Sequence, residues 1–155
     1  MSMERARAHI SKYGFENRIQ EFSESSATVE LAAQRLGVEG ARIAKTLSFS
    51  LEDQAILILA AGDAKIDNAK YKAFFHTKAK MLSHDQVEPL IGHMVGGVCP
   101  FGINKGIKVY LDESLKRFDT VFPAVGTAAS AIELSIPELE LVSEYTQWVD
   151  VCKIP

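Results

Sequence analysis

What the chain lacks narrows its class before any motif is read. It has two cysteines, Cys99 and Cys152, in neither a CxxC nor a zinc-type spacing, which fits a reducing compartment and no structural metal. No apolar run approaches the roughly 20 residues of a membrane-spanning helix; the longest runs from Ala55 to Ala61. Charges are spread through the first ten residues with no apolar h-region or cleavage site, so no secretory signal is expected and the expected address is the cytoplasm. There is no excess of positive charge: the formal balance is −3, which argues against a general DNA-coating protein but leaves room for a local basic patch. Also missing are a Walker loop, a GxGxxG fingerprint, a GxSxG elbow, HExxH and an EF-hand loop. Repeats, low-complexity tracts and Pro/Gly/Ser linkers are absent too, so residues 1–155 are expected to form one domain, able to bury a core with 47% hydrophobic residues.

What is present is a succession of short periodic segments. Met3, Ala6, Ile10 and Tyr13 recur at helical spacing up to Gly14, and a strand is expected around Ile19 to Phe22. After the polar run Ser23 to Ser26, the stripe Val29, Ala32, Ala33 and Leu36 predicts a second helix that Gly37 can end in a left-handed conformation. From Ala44 to Leu51 the period becomes two, with Lys45, Leu47, Phe49 and Leu51 on one face and Thr46, Ser48 and Ser50 on the other. Glu52-Asp53-Gln54 reads as a turn, so this strand and the apolar run Ala55 to Ala61 are expected to pair as a hairpin. Asp67 can cap a helix through Phe75, and capping boxes at Ser83-His84-Asp85-Gln86 and at Ser135 with Glu138 open two more. Further strands are expected at Ile107 to Leu111, Thr120 to Val125, Ser130 to Leu134 and Gln147 to Cys152. About seven short strands and four or five short helices without regular β-α alternation predict an α+β or mixed α/β fold around a curved sheet, not a doubly wound nucleotide fold.

Three features could carry chemistry. Gly92 to Gly102 packs four glycines and Pro100 into eleven residues, a composition that lets backbone approach a ligand and aim N–H groups at an oxygen; it equally suits a tight connection. Lys45 places an ammonium on an apolar strand face, where it either snorkels to water or meets something negative. Lys65, Lys70, Lys72, Lys78 and Lys80 stand against the single acid Asp67, a cluster that can follow a phosphate backbone or simply be a solvated face.

The blocks Ile43-Ala44-Lys45-Thr46-Leu47, Gly62-Asp63-Ala64-Lys65-Ile66-Asp67 and Val95-Gly96-Gly97-Val98-Cys99-Pro100-Phe101-Gly102 are similar, in order and spacing, to those of the YbaK/ProX/EbsC superfamily; Ala131 to Ser135 is a weaker fourth match. Members of that superfamily stand alone or are inserted in prolyl-tRNA synthetases as editing domains. The resemblance implies a compact domain with a partly barrel-like mixed sheet and a pocket for the terminal adenosine and its amino acid. It implies an aminoacyl-tRNA deacylase acting on mischarged Cys-tRNA(Pro) or Ala-tRNA(Pro), with prolyl-tRNA synthetase as a further candidate partner and no cofactor. By the same resemblance Lys45 is the residue most closely tied to activity, and Gly97 offers its N–H to the substrate carbonyl. Thr46, Gly96, Val98, Cys99, Pro100, Phe101 and Phe22 are implied to line the substrate site, and Lys70, Lys72, Lys78 and Lys80 are candidates to meet the tRNA backbone. Such enzymes cut an activated ester, for which positioning and an aimed N–H suffice and either water or the substrate's own side chain attacks. The sequence departs from its relatives at Cys99 and at Ala128 to Ala131, so alanine and cysteine both stay open as the amino acid removed.

Other readings compete. His93 and Cys99 could be a base and a nucleophile if the fold brings them into contact with a third, orienting group. His9, His76 and His84 show no metal-ligand spacing, so no metal is expected. The main rival is a non-catalytic module of the same fold that binds tRNA or a synthetase.

Overall fold

Side-chain alternation from Ile43 to Leu51 builds the longest strand among the described residues, and the elements that form the site are arranged around it. In the computed structural model, which describes residues 2–23 and 28–155, the helices are α1 (Ser2–Ser11), α2 (Val29–Leu36), α3 (Asn68–Phe75), α4 (His84–Ile91) and α5 (Ile136–Ser143). The strands are β1 (Ile19–Glu21), β2 (Ile43–Leu51), β3 (Gln54–Ala61), β4 (Lys65–Ile66), β5 (Lys108–Asp112), β6 (Thr120–Pro123), β7 (Ser130–Ile132), β8 (Leu134–Ser135), β9 (Gln147–Val149) and β10 (Cys152–Lys153). Of the polar run Ser23 to Ser26, only Ser23 falls within the described residues.

Local chemistry sets most of the helix ends. The Thr28 hydroxyl accepts from the Leu31 N–H at 3.1 Å, and Asp67 accepts from Ala69 and Lys70 at 3.0 and 3.1 Å, satisfying donors that a helix start leaves unpaired. Both capping boxes form: Ser83 N–H donates to the Gln86 side chain and Ser135 N–H to that of Glu138, each at 2.9 Å. Gly37 and Gly92 end α2 and α4 at φ of +69° and +100°, where a side chain would be strained.

The main sheet has six strands in the order β8-β6-β2-β3-β5-β9 and curls into a half-barrel. The β2–β3 pair is the expected antiparallel hairpin, with Lys45 opposite Ala60 and Phe49 opposite Ile56. β5 runs parallel to β3 and β9 parallel to β5, while β6 runs parallel to β2 and antiparallel to β8. Two small sheets, β1 with β7 and β4 with β10, tie the chain ends to the body. Two expected strands are thereby divided. Ser130 to Leu134 splits at Glu133 into β7 and β8, which belong to different sheets. Gln147 to Cys152 splits because the buried Asp112 carboxylate accepts the Val151 N–H at 2.9 Å and turns the chain from β9 towards β4.

β3 is the hydrophobic centre, covered on both sides as its unbroken apolar sequence requires. The odd-numbered face of β2 packs on α3, whose Tyr71 ring lies 5.4 Å from that of Phe49, and Phe75 stacks edge-on against Tyr110 of β5 at 5.2 Å. Phe49→Ala would remove the ring that joins β2 to α3, at a cost of about 3–5 kcal/mol. α2 packs elsewhere, seating Ala33 with Ile43 and Phe122 in a separate cluster.

Candidate functional site

The outer edge of β2 is interrupted. At one end only Ile43 and Ala44 pair with β6. At the other the extended segment Lys80 to Leu82 takes over: Ser50 N–H donates to the Lys80 carbonyl at 2.8 Å and Leu82 N–H to the Ser48 carbonyl at 3.1 Å. A cavity of about 400 Å³ occupies the break. Its apolar wall comes from Val29, Ala32 and Leu36 of α2 with Ile43 and Phe122. Met81, Leu82, His84 and Val87 form the opposite side, and Val95, Gly96 and Val98 the lip. Ala124 and the turn from Thr127 to Ala131 close it, while Ala44, Lys45, Thr46 and Ser48 supply the floor. The Thr46 hydroxyl is buried and has no hydrogen-bond partner among the described residues, so it is available to a ligand.

Lys45 lines this cavity, and its ammonium donates to the carbonyls of Gly62 and Ala64 in the turn between β3 and β4. Burial holds the ammonium below the ordinary lysine pKa, opposed by the nearby Cys152 and by the Asp63 carboxylate. Arg117 grips that carboxylate through two N–H bonds and holds it below the usual carboxylate range. The lysine therefore neither snorkels to open water nor lies in a dry core: backbone dipoles fix it at a cavity wall.

The glycine loop meets the cavity through Gly96 and Val98. Gly97 lies behind them, its N–H donating to the Met94 carbonyl at 3.0 Å, and a Cβ there would sit 2.6 Å from the Thr127 Cα. Cys99, Pro100 and Phe101 are buried under the loop and outside the cavity lining, with Phe101 against the His9 ring at 5.8 Å. Phe22 is half-buried outside the lining, its N–H bonded at 2.8 Å to the carbonyl of Ala129 in the turn that closes the cavity.

His93 and Cys99 do meet, with Nε2 3.5 Å from Sγ, but they cannot act as base and nucleophile in this arrangement. Nε2 lies 2.6 Å from the Phe101 carbonyl, which only accepts, so that nitrogen carries the proton and has no lone pair for the thiol. Burial pushes the Cys99 thiol up to about 12 and the imidazole down, leaving both neutral near pH 7. Among the described residues no three His, Cys, Asp or Glu side chains converge to hold a metal, and no helix is long and apolar enough to cross a membrane.

Of the four candidate backbone-binding lysines, Lys70 is engaged, bonding Asp150 at 3.0 Å and the Cys152 carbonyl at 3.1 Å. Lys72, Lys78 and Lys80 are exposed. Sequence reasoning missed the α2 wall, Met81, His84 and Thr127 as cavity residues. The α2 stripe carries only a core signal, and the approach of Lys80 to Leu82 to β2 leaves no periodicity to read.

The family model of the aminoacyl-tRNA editing domain matches residues 23–141. The uncharacterized protein YwhH of Bacillus subtilis is 55% identical over 99% of this chain and 98% of its own length. EbsC of Enterococcus faecalis, a proposed Cys-tRNA(Pro)/Cys-tRNA(Cys) deacylase, is 29% identical over 84% of this chain and 80% of its own. A crystal structure of a proposed trans-editing enzyme for prolyl-tRNA synthetase superposes with a TM-score of 0.88 at 29% identity, covering 98% of this chain and 97% of that one.

Proposed function

Because the chain belongs to the aminoacyl-tRNA editing domain family, we propose that it is a deacylase which removes the amino acid from mischarged tRNA, with Ala-tRNA(Pro) or Cys-tRNA(Pro) as its substrate. The observation that carries this reading is the cavity beside β2, where a backbone-held ammonium, an unpartnered buried hydroxyl and a small apolar wall meet. The acceptor end of the tRNA enters past Met81 and Val95, which are exposed at the mouth. Lys45 fixes the phosphate nearest the terminal adenosine, and the loop at Gly96 to Val98 holds the ester against the floor. Positioning of this kind suffices for an activated ester because the leaving group is a ribose hydroxyl, and water or the substrate's side chain attacks the acyl carbon. The alanines at 44, 124, 128 and 131 suit a small side chain, and a larger ring is excluded by clash. The whole of residues 1–155 acts as one editing unit in the cytoplasm.

The test is deacylation of purified Ala-, Cys- and Pro-tRNA(Pro) by the full chain. Hydrolysis of the alanyl or cysteinyl ester with survival of prolyl-tRNA is expected. Binding without acceleration of any ester would instead identify a non-catalytic module, and preferential cleavage of prolyl-tRNA would end the editing reading.

A further inference from the structure

The break in the sheet exposes main chain as well as side chains. Ser48 and Ser50 direct their peptide groups away from β3, towards Lys80 to Leu82, and strand geometry makes Ala44 and Thr46 point the same way. Ala44 meets β6. Thr46 meets neither neighbour: its N–H and C=O face away from β3, past the last β6 pair at Ala44 and short of the Ser48–Leu82 bond, no bond to either is found among the described residues outside the strand ladders, and the residue lines the cavity. Its hydroxyl, buried without a partner, stands on the same residue. A partly buried strand residue with donor and acceptor both unpaired is costly, and the group that satisfies it must offer one acceptor and one donor at strand spacing.

We propose that the aminoacyl group docks on Thr46 as a one-residue strand, completing the sheet between β6 and the Lys80 to Leu82 segment. This rests on the deacylase reading and names its binding mode. In a hydrogen-bonded antiparallel pair two opposed residues exchange both bonds. Here the α-ammonium of the substrate donates to the Thr46 carbonyl, and the Thr46 N–H donates to the ester carbonyl oxygen. Opposed residues share a face, so the substrate side chain projects beside Thr46 and Ser48 into the cavity. When water adds to the acyl carbon, the carbonyl oxygen gains charge against the Thr46 N–H. The carbonyl then re-forms, the bond to the ribose oxygen breaks with its electron pair, and that oxygen takes the proton the water gives up. Thr46 thus supplies the oxyanion donor that Gly97, bonded to Met94, does not present to the cavity.

The test replaces residue 46 by the α-hydroxy acid analogue of threonine, which keeps the side chain, removes the N–H and weakens the Lys45 carbonyl as an acceptor in its pair with Ala60. Among the described residues that N–H has no partner outside the strand ladders, so the fold should be kept, its melt lowered only by the weakened Lys45 carbonyl. Single-turnover kcat should fall about 10²-fold with little change in KM, as for loss of one oxyanion donor; an unchanged kcat overturns the proposal. Independently, the Thr46 amide proton of the wild type should shift downfield and exchange more slowly on titration with a non-hydrolysable 3′-alanylamido-3′-deoxyadenosine, and a stationary Thr46 signal at saturation overturns it too. A wild-type chain that cleaves no aminoacyl-tRNA contradicts the deacylase reading instead, and the amide titration still decides the docking.

Discussion

Arg117 holds Asp63 with two parallel hydrogen bonds, Nη2 to Oδ1 at 2.6 Å and Nη1 to Oδ2 at 3.1 Å, and in doing so pins the turn whose carbonyls receive Lys45. The Arg117 Nε also donates to the Ser114 carbonyl at 2.9 Å, and the Ser114 hydroxyl accepts the Ala61 N–H at 3.1 Å, so both ends of the pair are tied to the end of β3.

The pair should therefore matter to turnover although it lies outside the cavity. Asp63→Asn and Arg117→Gln are each expected to lower deacylation by up to about 10²-fold through a displaced ammonium. The pH dependence has a definite sign. Arg117 depresses the Asp63 pKa, so its stabilisation is present above the ordinary value of 3.8 and is lost as the pH falls through the depressed one. Acid titration of unfolding should show wild type losing its advantage over Asp63→Asn as the pH falls from 3.8 to the depressed value, with none left below it; parallel acid curves would contradict the coupling.

Lys45→Ala should retain the fold and lose deacylation by about 10²-fold or more, with partial recovery in Lys45→Arg, whose planar fork places charge and donors differently. Two stability effects oppose each other. Alanine relieves the burial of a charge but orphans the Gly62 and Ala64 carbonyls, so the net change should stay within about 1–2 kcal/mol. Since burial depresses the lysine pKa, the stability of wild type relative to the alanine variant should rise as the pH climbs towards 10.5. Wild-type single-turnover rates in Lys45→Ala would remove Lys45 from the mechanism.

Cys99→Ser should keep most of the activity, and chelators should leave it unchanged, because the thiol is neutral and buried outside the cavity lining. The thiol has a separate signature in stability. Its pKa is raised from 9.0 to about 12, so folded-state stability is constant below 9 and falls between the two values as the unfolded chain ionises. Denaturant melts at stepped alkaline pH should show a gentler decline in Cys99→Ala than in wild type, and complete loss of deacylation in Cys99→Ser would restore the thiol mechanism.

Charge reversal at Lys72, Lys78 and Lys80 should weaken tRNA binding and flatten its salt dependence, by about 0.7–0.9 in log–log slope for each phosphate left without its cation. Reversal at Lys70 should do less, since its ammonium is shared between Asp150 and the Cys152 carbonyl. Filter binding across a salt series measures both, and unchanged slopes would make this an ordinary solvated face.

The sequence is most legible where structure is local. Asp67, Ser83, Ser135, Gly37 and Gly92 mark helix ends because their bonds or dihedrals involve residues within a turn of themselves. The two faces of β2 follow from a period of two, and the hairpin from the polar Glu52 and Asp53 that join it to β3, whose first residue is Gln54 of the expected turn. What escapes is what depends on partners far along the chain. Lys80 to Leu82 becomes a neighbour of β2 only through tertiary packing, and β6 leaves after two residue pairs, so nothing near Thr46 announces a break in the sheet. Lys45 stands out as a charge on an apolar face, yet the carbonyls that hold it belong to a turn some twenty residues on.

The approach of Gly97 to Gly126 and Thr127 has a consequence for how the mouth of the cavity is gauged. Because a Cβ at position 97 would sit 2.6 Å from the Thr127 Cα and closer still to the Gly126 carbonyl, the lip loop and the turn opposite it touch backbone to backbone. The aperture is thus calibrated by a missing methyl group, with no side-chain rotamer able to relax it. A family member could broaden or narrow its substrate range by shifting these two loops as rigid pieces while every residue of the floor stays the same.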